Sequence, residues 1–215
     1  MRSRVAVTTV SRKKYYLVVN KMKKRNIPFL SLIPGDPIPV EIKVVITTEK
    51  EKPLITHERI LIYDETTEPD IIGSEILKIL QGKESYGTIV IGVDPGEVFG
   101  LGVIADRSVI DTENCFSVKE VVNKIKGVLK TVDFSLGPVS VRIGSGVPTY
   151  KEVVEALDEA LASEVLLEIV SEAGTNRFHR RAKHCRRFRH IASAMLIAGR
   201  GGQVYPRREI VEQNS

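Results

Sequence analysis

A run of basic residues close to the end of the sequence is the feature best suited to hold a ligand. Residues 177–190 read RFHRRAKHCRRFRH, with six arginines, one lysine, three histidines and no acidic residue. These cations therefore cannot be neutralised by acidic partners four positions away on a helix. Guanidinium groups form planar forks that suit phosphate oxygens, which predicts a nucleic acid as the partner. The residues expected to bind it are Arg177, Arg180, Arg181, Lys183, Arg186 and Arg187.

Two other interpretations of this basic segment stay open. Its charge could be balanced by an acidic surface on a second subunit of a homodimer, or by the remainder of its own half of the chain. Residues 88–215 carry 17 basic and 16 acidic residues, so their net charge would be −6 without the segment. The histidines at 179, 184 and 190 are spaced by five and six positions and do not share a helix face, which disfavours a closed zinc site.

The whole chain of 215 residues has a net charge of only +5, so the distribution of charge is more informative than its total. Residues 1–87 carry 15 basic and 11 acidic residues, a net charge of +4. Their basic residues include a second cluster, RKK at 12–14 and KMKKR at 21–25. This cluster either extends the same binding surface or is the solvated face of a helix.

A single carboxylate, Asp94, stands where an apolar run ends and the chain turns. It is followed by Pro95 and Gly96, within the stretch GTIVIGVDPGEVFGLGVIAD at 87–106. Aspartate is favoured at the first position of a tight turn and proline at the second, so a hairpin turn would by itself explain the pattern. The alternative is a functional carboxylate at the end of a strand.

A glycine-rich loop follows a later strand pattern and precedes a helix pattern. Backbone N–H groups in such a loop, together with a helix N-terminus, can hold a phosphate of a nucleic acid or of a nucleotide. The alternative is an ordinary turn between strand and helix. The residues expected to bind phosphate are Gly144, Ser145 and Gly146.

The elements that must position these residues alternate between strand and helix patterns. In the first half, β-branched runs and amphipathic stretches predict a small α/β layer with a largely parallel sheet. Its predicted strands cover 4–10, 43–50 and 59–64, its helices 11–26 and 69–82, and a proline-rich loop with short extended pieces covers 28–42. The second half has the predicted order β-β-β-α-β-α-β-α. Its strands cover 88–94, 99–105, about 107–112, 138–144 and 165–170, and its helices cover 117–132, 150–162 and 180–202.

This element order and two local motifs resemble the ribonuclease-H-like superfamily, most closely its RuvC-type (Holliday junction resolvase-like) branch. The resemblance covers about residues 88–200. The motif IVIGVDPGEVFGLGVIAD is similar to the opening hairpin of that branch, where a strand ends in Asp-Pro-Gly. The motif HIASAMLIA at 190–198 is similar to its final helix, in which small apolar residues pack on the sheet.

The resemblance implies a site in which carboxylates hold two divalent ions about 4 Å apart at a phosphodiester. It places Asp94 as the first ligand, but the strand end expected to carry the next acid reads Ile143, Gly144 and Ser145, with no carboxylate. The two acidic positions on the last helix fall at His190 and Ser193. Glu172 is the best substitute, and further candidates are Glu97, Asp106, Asp111 and Glu168. The implied catalytic residues are therefore Asp94, Glu172 and His190, with Mg²⁺ or Mn²⁺ on Asp94 and Glu172.

We therefore expect an α/β protein with a small module of unknown role at 1–86, a ribonuclease-H-like domain at 87–208 and a tail at 209–215. The expected function is nucleic-acid binding, to DNA or RNA, on a scaffold whose metal-dependent nuclease activity is weak because acids are missing. The alternatives are a nucleotide-binding ATPase-like protein of the same superfold and a catalytically inactive interaction module. The sequence has no signal-peptide pattern and no apolar run of membrane-spanning length, and its two cysteines are far apart, which predicts a cytoplasmic protein.

Overall fold

The computed structural model describes residues 3–63, 69–130, 132–171 and 186–207. The chain divides into two compact units, Met1–Ser85 and Tyr86–Ser215. Both units combine helices with a β-sheet, and the sheet of the second unit is mixed, so the predicted α/β class is confirmed. Among the described residues, no helix is both long enough and apolar enough to cross a membrane.

The described residues of the first unit form a four-stranded parallel sheet and two α-helices. The strands are β1 (Val5–Thr8), β2 (Leu30–Leu32), β3 (Val44–Thr47) and β4 (Ile60–Ile62), and the helices are α1 (Arg12–Lys24) and α2 (Pro69–Gln81). The strand order is β2-β1-β3-β4, and every pair is parallel. β2 is one of the short extended pieces expected within the proline-rich stretch.

Both helices of the first unit pack on the same face of its sheet. Val7 and Ile46 share a buried cluster with Val18 and Met22 of α1 and with Ile76 of α2. On the opposite face, Ala6 and Val45 pack against Ile42 and Ile55, which belong to the loops on either side of β3, and no α-helix of the described residues covers that face. Successive apolar residues of the strands therefore point to opposite faces of this sheet, and a core forms on each face. The helices α1 and α2 cover one of the two faces.

The second unit is built on a six-stranded mixed sheet. Its strands are β5 (Ile89–Asp94), β6 (Phe99–Ala105), β7 (Ser108–Cys115), β8 (Val139–Gly144), β9 (Val165–Val170) and β10 (Gln203–Val204). Its helices are α3 (Val118–Leu129), α4 (Tyr150–Ala160) and α5 (Arg186–Ala198). The strand order is β10-β9-β8-β5-β6-β7, in which β5, β8 and β9 are parallel and β6, β7 and β10 are antiparallel to their neighbours.

The helix boundaries follow local hydrogen bonds. At the start of α3, the Ser117 side chain accepts from Glu120 N–H (3.2 Å), and Phe116 N–H donates to the Glu120 carboxylate (2.8 Å), so both side chains cap the first turn. The prediction for the last helix was wrong at its C-terminal end, because α5 ends at Ala198, four residues early, and β10 follows. Residues 180–185 of that predicted helix lie outside the described residues.

An arginine anchors the segment that follows β10. Arg207 pairs with the buried carboxylate of Asp158 (2.9 Å) and donates to the carbonyl groups of Asp158 and Leu161 at the end of α4. It also donates to the carbonyls of Ala162 and Val165. One guanidinium group therefore satisfies carbonyls that the end of a helix leaves without partners.

Candidate functional site

Three glycines allow α5 to approach the sheet of the second unit very closely. A Cβ atom on Gly92 would overlap the backbone of Ala194, one on Gly100 would overlap the backbone of His190, and one on Gly102 would overlap the Met195 side chain. The register pairs Gly92 with Gly102 and Asp94 with Gly100, so the glycines form one stripe across β5 and β6. Glycine is required here by the space available, since every other residue carries a Cβ.

This close packing brings the imidazole of His190 beside Asp94. The distance between His190 Nδ1 and Asp94 Oδ2 is 3.6 Å, and the two side chains are 26% and 13% exposed. The contact is an ion pair when the imidazole is protonated. An Nδ1 proton that faces a carboxylate leaves Nε2 available to a second partner, which is the arrangement that orients a histidine for proton transfer. The structure thus brings together two of the three predicted catalytic residues.

The described residues do not fit a two-ion metal centre. Gly144 ends β8 at the same edge of the sheet, one residue after Ile143, which pairs with Val93, and it supplies no ligand. Within the described ranges, no group of three or more His, Cys, Asp or Glu side chains could hold a metal ion. Glu172 lies outside the described residues, so a metal on Asp94 and Glu172 stays a prediction.

Two of the further acidic candidates are placed where they cannot assist Asp94. Asp106 accepts hydrogen bonds from the N–H groups of Gly87 (3.1 Å) and Thr88 (2.9 Å), at the opposite end of β5. That end is about 20 Å from Asp94, at about 3.3 Å per strand residue. Glu168 is buried, and its two carboxylate oxygens bind Arg142 (3.1 Å) and Gly202 N–H (2.8 Å). Neither acid is available as a ligand beside Asp94.

The Arg142–Glu168 pair holds the C-terminal end of α5. Arg142 Nη1 donates to the carbonyl of Ala198, the last residue of the helix, at 2.6 Å. The pair thereby links β8, β9 and the C-terminal end of α5. The glycine stripe holds the part of α5 that contains His190. The sequence analysis did not assign this role. The available signal was a charged residue in the middle of each of two buried strands, VSVRIG and VLLEIV.

The glycine-rich loop uses part of its hydrogen-bonding capacity internally. Ser145 directs both its N–H (3.0 Å) and its hydroxyl (3.3 Å) to the carbonyl of Val170. These bonds tie the loop to the end of β9 and reduce the number of donors that could face a phosphate. Phosphate binding by Gly144, Ser145 and Gly146 stays a prediction.

Most of the basic segment lies outside the described residues, including Arg177, Arg180, Arg181 and Lys183. Arg186 and Arg187 form the first turn of α5, and their side chains are not described. Arg189, in the same turn as His190, is exposed. Nucleic-acid binding by the six predicted residues, which do not include Arg189, therefore stays a prediction.

A second polar cluster lies in the first unit, at the carboxyl ends of β1 and β3. In an open parallel sheet, ligands bind outside the carboxyl ends of the strands, where the strand order reverses. Here Glu51 accepts from Val10 N–H (2.8 Å) and from the Thr48 hydroxyl (2.6 Å). The cavity that remains is about 10 Å³, room for about one water molecule. No sequence pattern predicts this cluster, because it depends on which strands are neighbours in the sheet.

Hydrogen bonding keeps Glu51 ionised. Burial opposes its charge, but the bonds from Thr48 and Val10, with a further one from Thr9, outweigh that effect and lower the pKa of the Glu51 carboxyl. Beside it, the hydroxyls of Thr8 and Thr47 are buried and have no hydrogen-bond partner among the described residues. They lie on adjacent strands, one residue beyond the paired Val7 and Ile46.

The comparison with protein families concerns this first unit. Residues 4–70 match the family model of a response regulator receiver-like domain. The match covers less than half of the chain and none of the second unit. The first unit, expected from the sequence only as a module of unknown role, is therefore similar to a receiver-like domain over most of its length.

The other comparisons add little. No curated protein matches the sequence. Among solved structures, the chain is similar to Argonaute of Marinitoga piezophila in complex with a 5′ OH guide RNA, with 10% identity and a TM-score of 0.28. The alignment covers 79% of this chain and only 39% of the Argonaute chain. A similarity at this TM-score does not support any argument about function.

Proposed function

We propose that the second unit binds nucleic acid through its basic segment, residues 177–190, on a ribonuclease-H-like scaffold that has lost most of its catalytic acids. The observation that carries the proposal is the approach of His190 to Asp94 at one edge of the sheet. The basic segment runs into α5 and ends at His190, so its last residues are attached to that edge. The order of strands and helices in this unit supports the same assignment.

The depleted site favours binding over cleavage. Cleavage of a phosphodiester with two divalent ions requires several anionic ligands for those ions. At this edge, the described residues provide one carboxylate, that of Asp94, and the imidazole of His190 beside it. Asp94 and His190 are retained as a carboxylate–imidazole pair, which can orient a proton donor or acceptor without a metal. Any hydrolysis therefore depends on Asp94 and, in this proposal, on Glu172.

Salt-dependent binding tests the proposal. Each phosphate neutralised on duplex DNA contributes about −0.9 to the slope of log K against log salt, so four to six contacts predict a slope of about −4 to −5. Replacing Arg180, Arg181, Arg186 and Arg187 together by glutamine should flatten this slope. The matched control replaces four exposed cations of the same unit by glutamine: Arg107, Lys119, Lys126 and Lys151. Absence of binding at low salt, or equal effects of both variants, would contradict the proposal.

Cleavage is tested separately with Asp94→Asn, which keeps the size of the side chain and removes its charge. Wild type and variant are incubated with branched and duplex substrates at millimolar Mg²⁺ or Mn²⁺, alongside the binding assay. Loss of cleavage with binding retained supports a residual catalytic role for Asp94. Cleavage that persists in the variant would show that Asp94 is only a turn residue. Binding without cleavage in either protein would identify an inactive binding module.

A further inference from the structure

We infer that the exposed face of α1, in the first unit, is a separate surface that binds the phosphate backbone of single-stranded nucleic acid. It is formed by Arg12, Lys13, Tyr16 and Lys23, which we call the α1 strip. All four residues are exposed. The inference does not depend on the basic segment of the second unit, because none of these residues belongs to it.

The strip lies on the solvent-exposed part of an amphipathic helix. Val18, Val19 and Met22 of α1 are buried, and Val18 and Met22 pack against the sheet and α2. Turning 100° per residue, Arg12, Tyr16 and Lys23 fall within about 40° of one another, about 90° around the helix from the mean direction of the buried residues. Lys13 falls on the side opposite to the buried residues. At a rise of 1.5 Å per residue, Arg12 and Lys23 are about 17 Å apart, which is long enough to follow several phosphates of one strand.

The charge of α1 is not compensated within the helix. Its thirteen residues include six cations and no acidic residue. Among the described residues, the side chains of Arg12, Lys13 and Lys23 have no ion-pair partner. Arg25, just beyond the helix, differs: its guanidinium lies over Gly73 and reaches the hydroxyl of Ser74 (3.5 Å), so it packs on α2.

The position of three of these cations is unfavourable for the helix itself. Arg12, Lys13 and Lys14 occupy the first turn, where the helix dipole favours anions. The N-cap residue, Ser11, makes no side-chain bond to the N–H groups of this turn. A bound phosphate would relieve both unfavourable features, because it would accept from free N–H groups and neutralise the cations.

Tyr16 selects nucleic acid among the possible polyanions. Its side chain is 65% exposed and lies between the cations of the strip. Exposed aromatic rings within a basic surface are the platform on which unpaired bases stack. A membrane surface is disfavoured, because an interfacial helix must insert its apolar face and that of α1 is already buried in the core.

The test uses the full-length chain and measures binding of oligo(dT) by fluorescence anisotropy over a series of salt concentrations. The strip variant carries Arg12→Gln, Lys13→Gln and Lys23→Gln. Its control carries Lys50→Gln, Lys52→Gln and Arg59→Gln, three exposed cations of the same unit. Because each phosphate contact on a single strand contributes about −0.7 to the slope, the strip variant should flatten the slope by about 2 and the control should not. Tyr16→Ala should weaken binding about 5- to 150-fold at constant slope.

The outcomes separate this inference from the proposed function. If the arginine variant of the basic segment loses oligo(dT) binding and the strip variant behaves like its control, the inference is wrong and the proposed function stands. If only the strip variant loses oligo(dT) binding, the inference holds, and the proposed function fails if the arginine variant also leaves the salt slope on duplex DNA unchanged. Binding of polyglutamate peptide or of phosphatidylserine vesicles to the strip, without binding of oligo(dT), would also overturn the inference. Circular dichroism of each variant verifies that α1 remains folded.

Discussion

Gly100 lies against the backbone carbonyl of His190, with no room between them for a methyl group. Because Gly100 is also the β6 partner of Asp94, the contact sets the distance between the two side chains of the candidate site. Gly100→Ala should therefore push α5 away from the sheet and separate His190 from Asp94. Overpacking of this kind typically costs about 1–3 kcal/mol, measurable by urea denaturation.

The matched control for this change is Gly87→Ala. A Cβ atom on Gly87 would lie 3.5 Å from Asp106 Oδ1, an ordinary van der Waals distance. We expect this variant to be as stable as the wild type within about 0.5 kcal/mol. Equal stability of Gly100→Ala and Gly87→Ala would show that α5 has more freedom than its contacts indicate.

Substitutions of Arg142 and of Glu168, which form an ion pair, should have strongly non-additive effects on the free energy of unfolding. Arg142→Met leaves a buried carboxylate without its cation and removes the donor to Ala198, so the free energy of unfolding should fall by about 3 kcal/mol. The double variant with Glu168→Met should be less destabilised than the sum of the single changes, by at least about 1 kcal/mol. A double-mutant cycle from chemical denaturation measures this coupling, and additive effects would argue against the pair.

The buried hydroxyls of Thr8 and Thr47 should reduce the stability of the first unit. Valine has nearly the same shape as threonine, and replacing an unpartnered buried hydroxyl by a methyl group removes a desolvation penalty. Thr47→Val should raise the free energy of unfolding by about 1 kcal/mol, and Thr8→Val should act in the same direction. Destabilisation by either change, seen in thermal or urea unfolding, would mean that the hydroxyl has a partner in solution.

Glu51 should make the stability of the first unit depend on pH. Its pKa is lower in the folded chain than in the unfolded one, so its ionised form contributes stability at pH values above the unfolded pKa, about 4.3. This contribution is lost as the pH falls through the folded pKa. Glu51→Gln should be about 1 kcal/mol less stable than wild type at pH 7, and the difference should vanish at lower pH. A difference that does not change between pH 7 and pH 3 would contradict this assignment.

The positions of the strands and helices could be predicted from local patterns, whereas contacts between distant elements could not. Asp94 ends β5 because Pro95 and Gly96 interrupt the ladder, and Ser117 begins α3 because its side chain caps the first turn. Both effects act within a few residues. The hydrogen bond from Arg142 to the carbonyl of Ala198, at the end of α5, joins residues 56 positions apart instead, and no local pattern reveals it.

The candidate site was predictable in part for the same reason. Asp94 was identified from a motif that the sequence keeps, and His190 from a motif in which it stands at an acidic position. Their proximity depends on how α5 lies on the glycine stripe. Asp106 was misplaced because its closeness in sequence to β6 says nothing about which end of the sheet it occupies. The polar cluster at Thr8, Thr47 and Glu51 was missed because it appears only when β1 and β3 become neighbours in the sheet.

The glycine stripe beneath α5 also bears on how this protein can change during evolution. The helix is seated by backbone contacts with Gly92, Gly100 and Gly102, and its outward residues, such as Arg189 and Ala192, take no part in that seating. Mutations on the outer surface can therefore accumulate without shifting the helix, while any mutation of the stripe shifts it at once. Divergent descendants of this chain should thus keep the three glycines and differ in the surface that α5 presents to a partner.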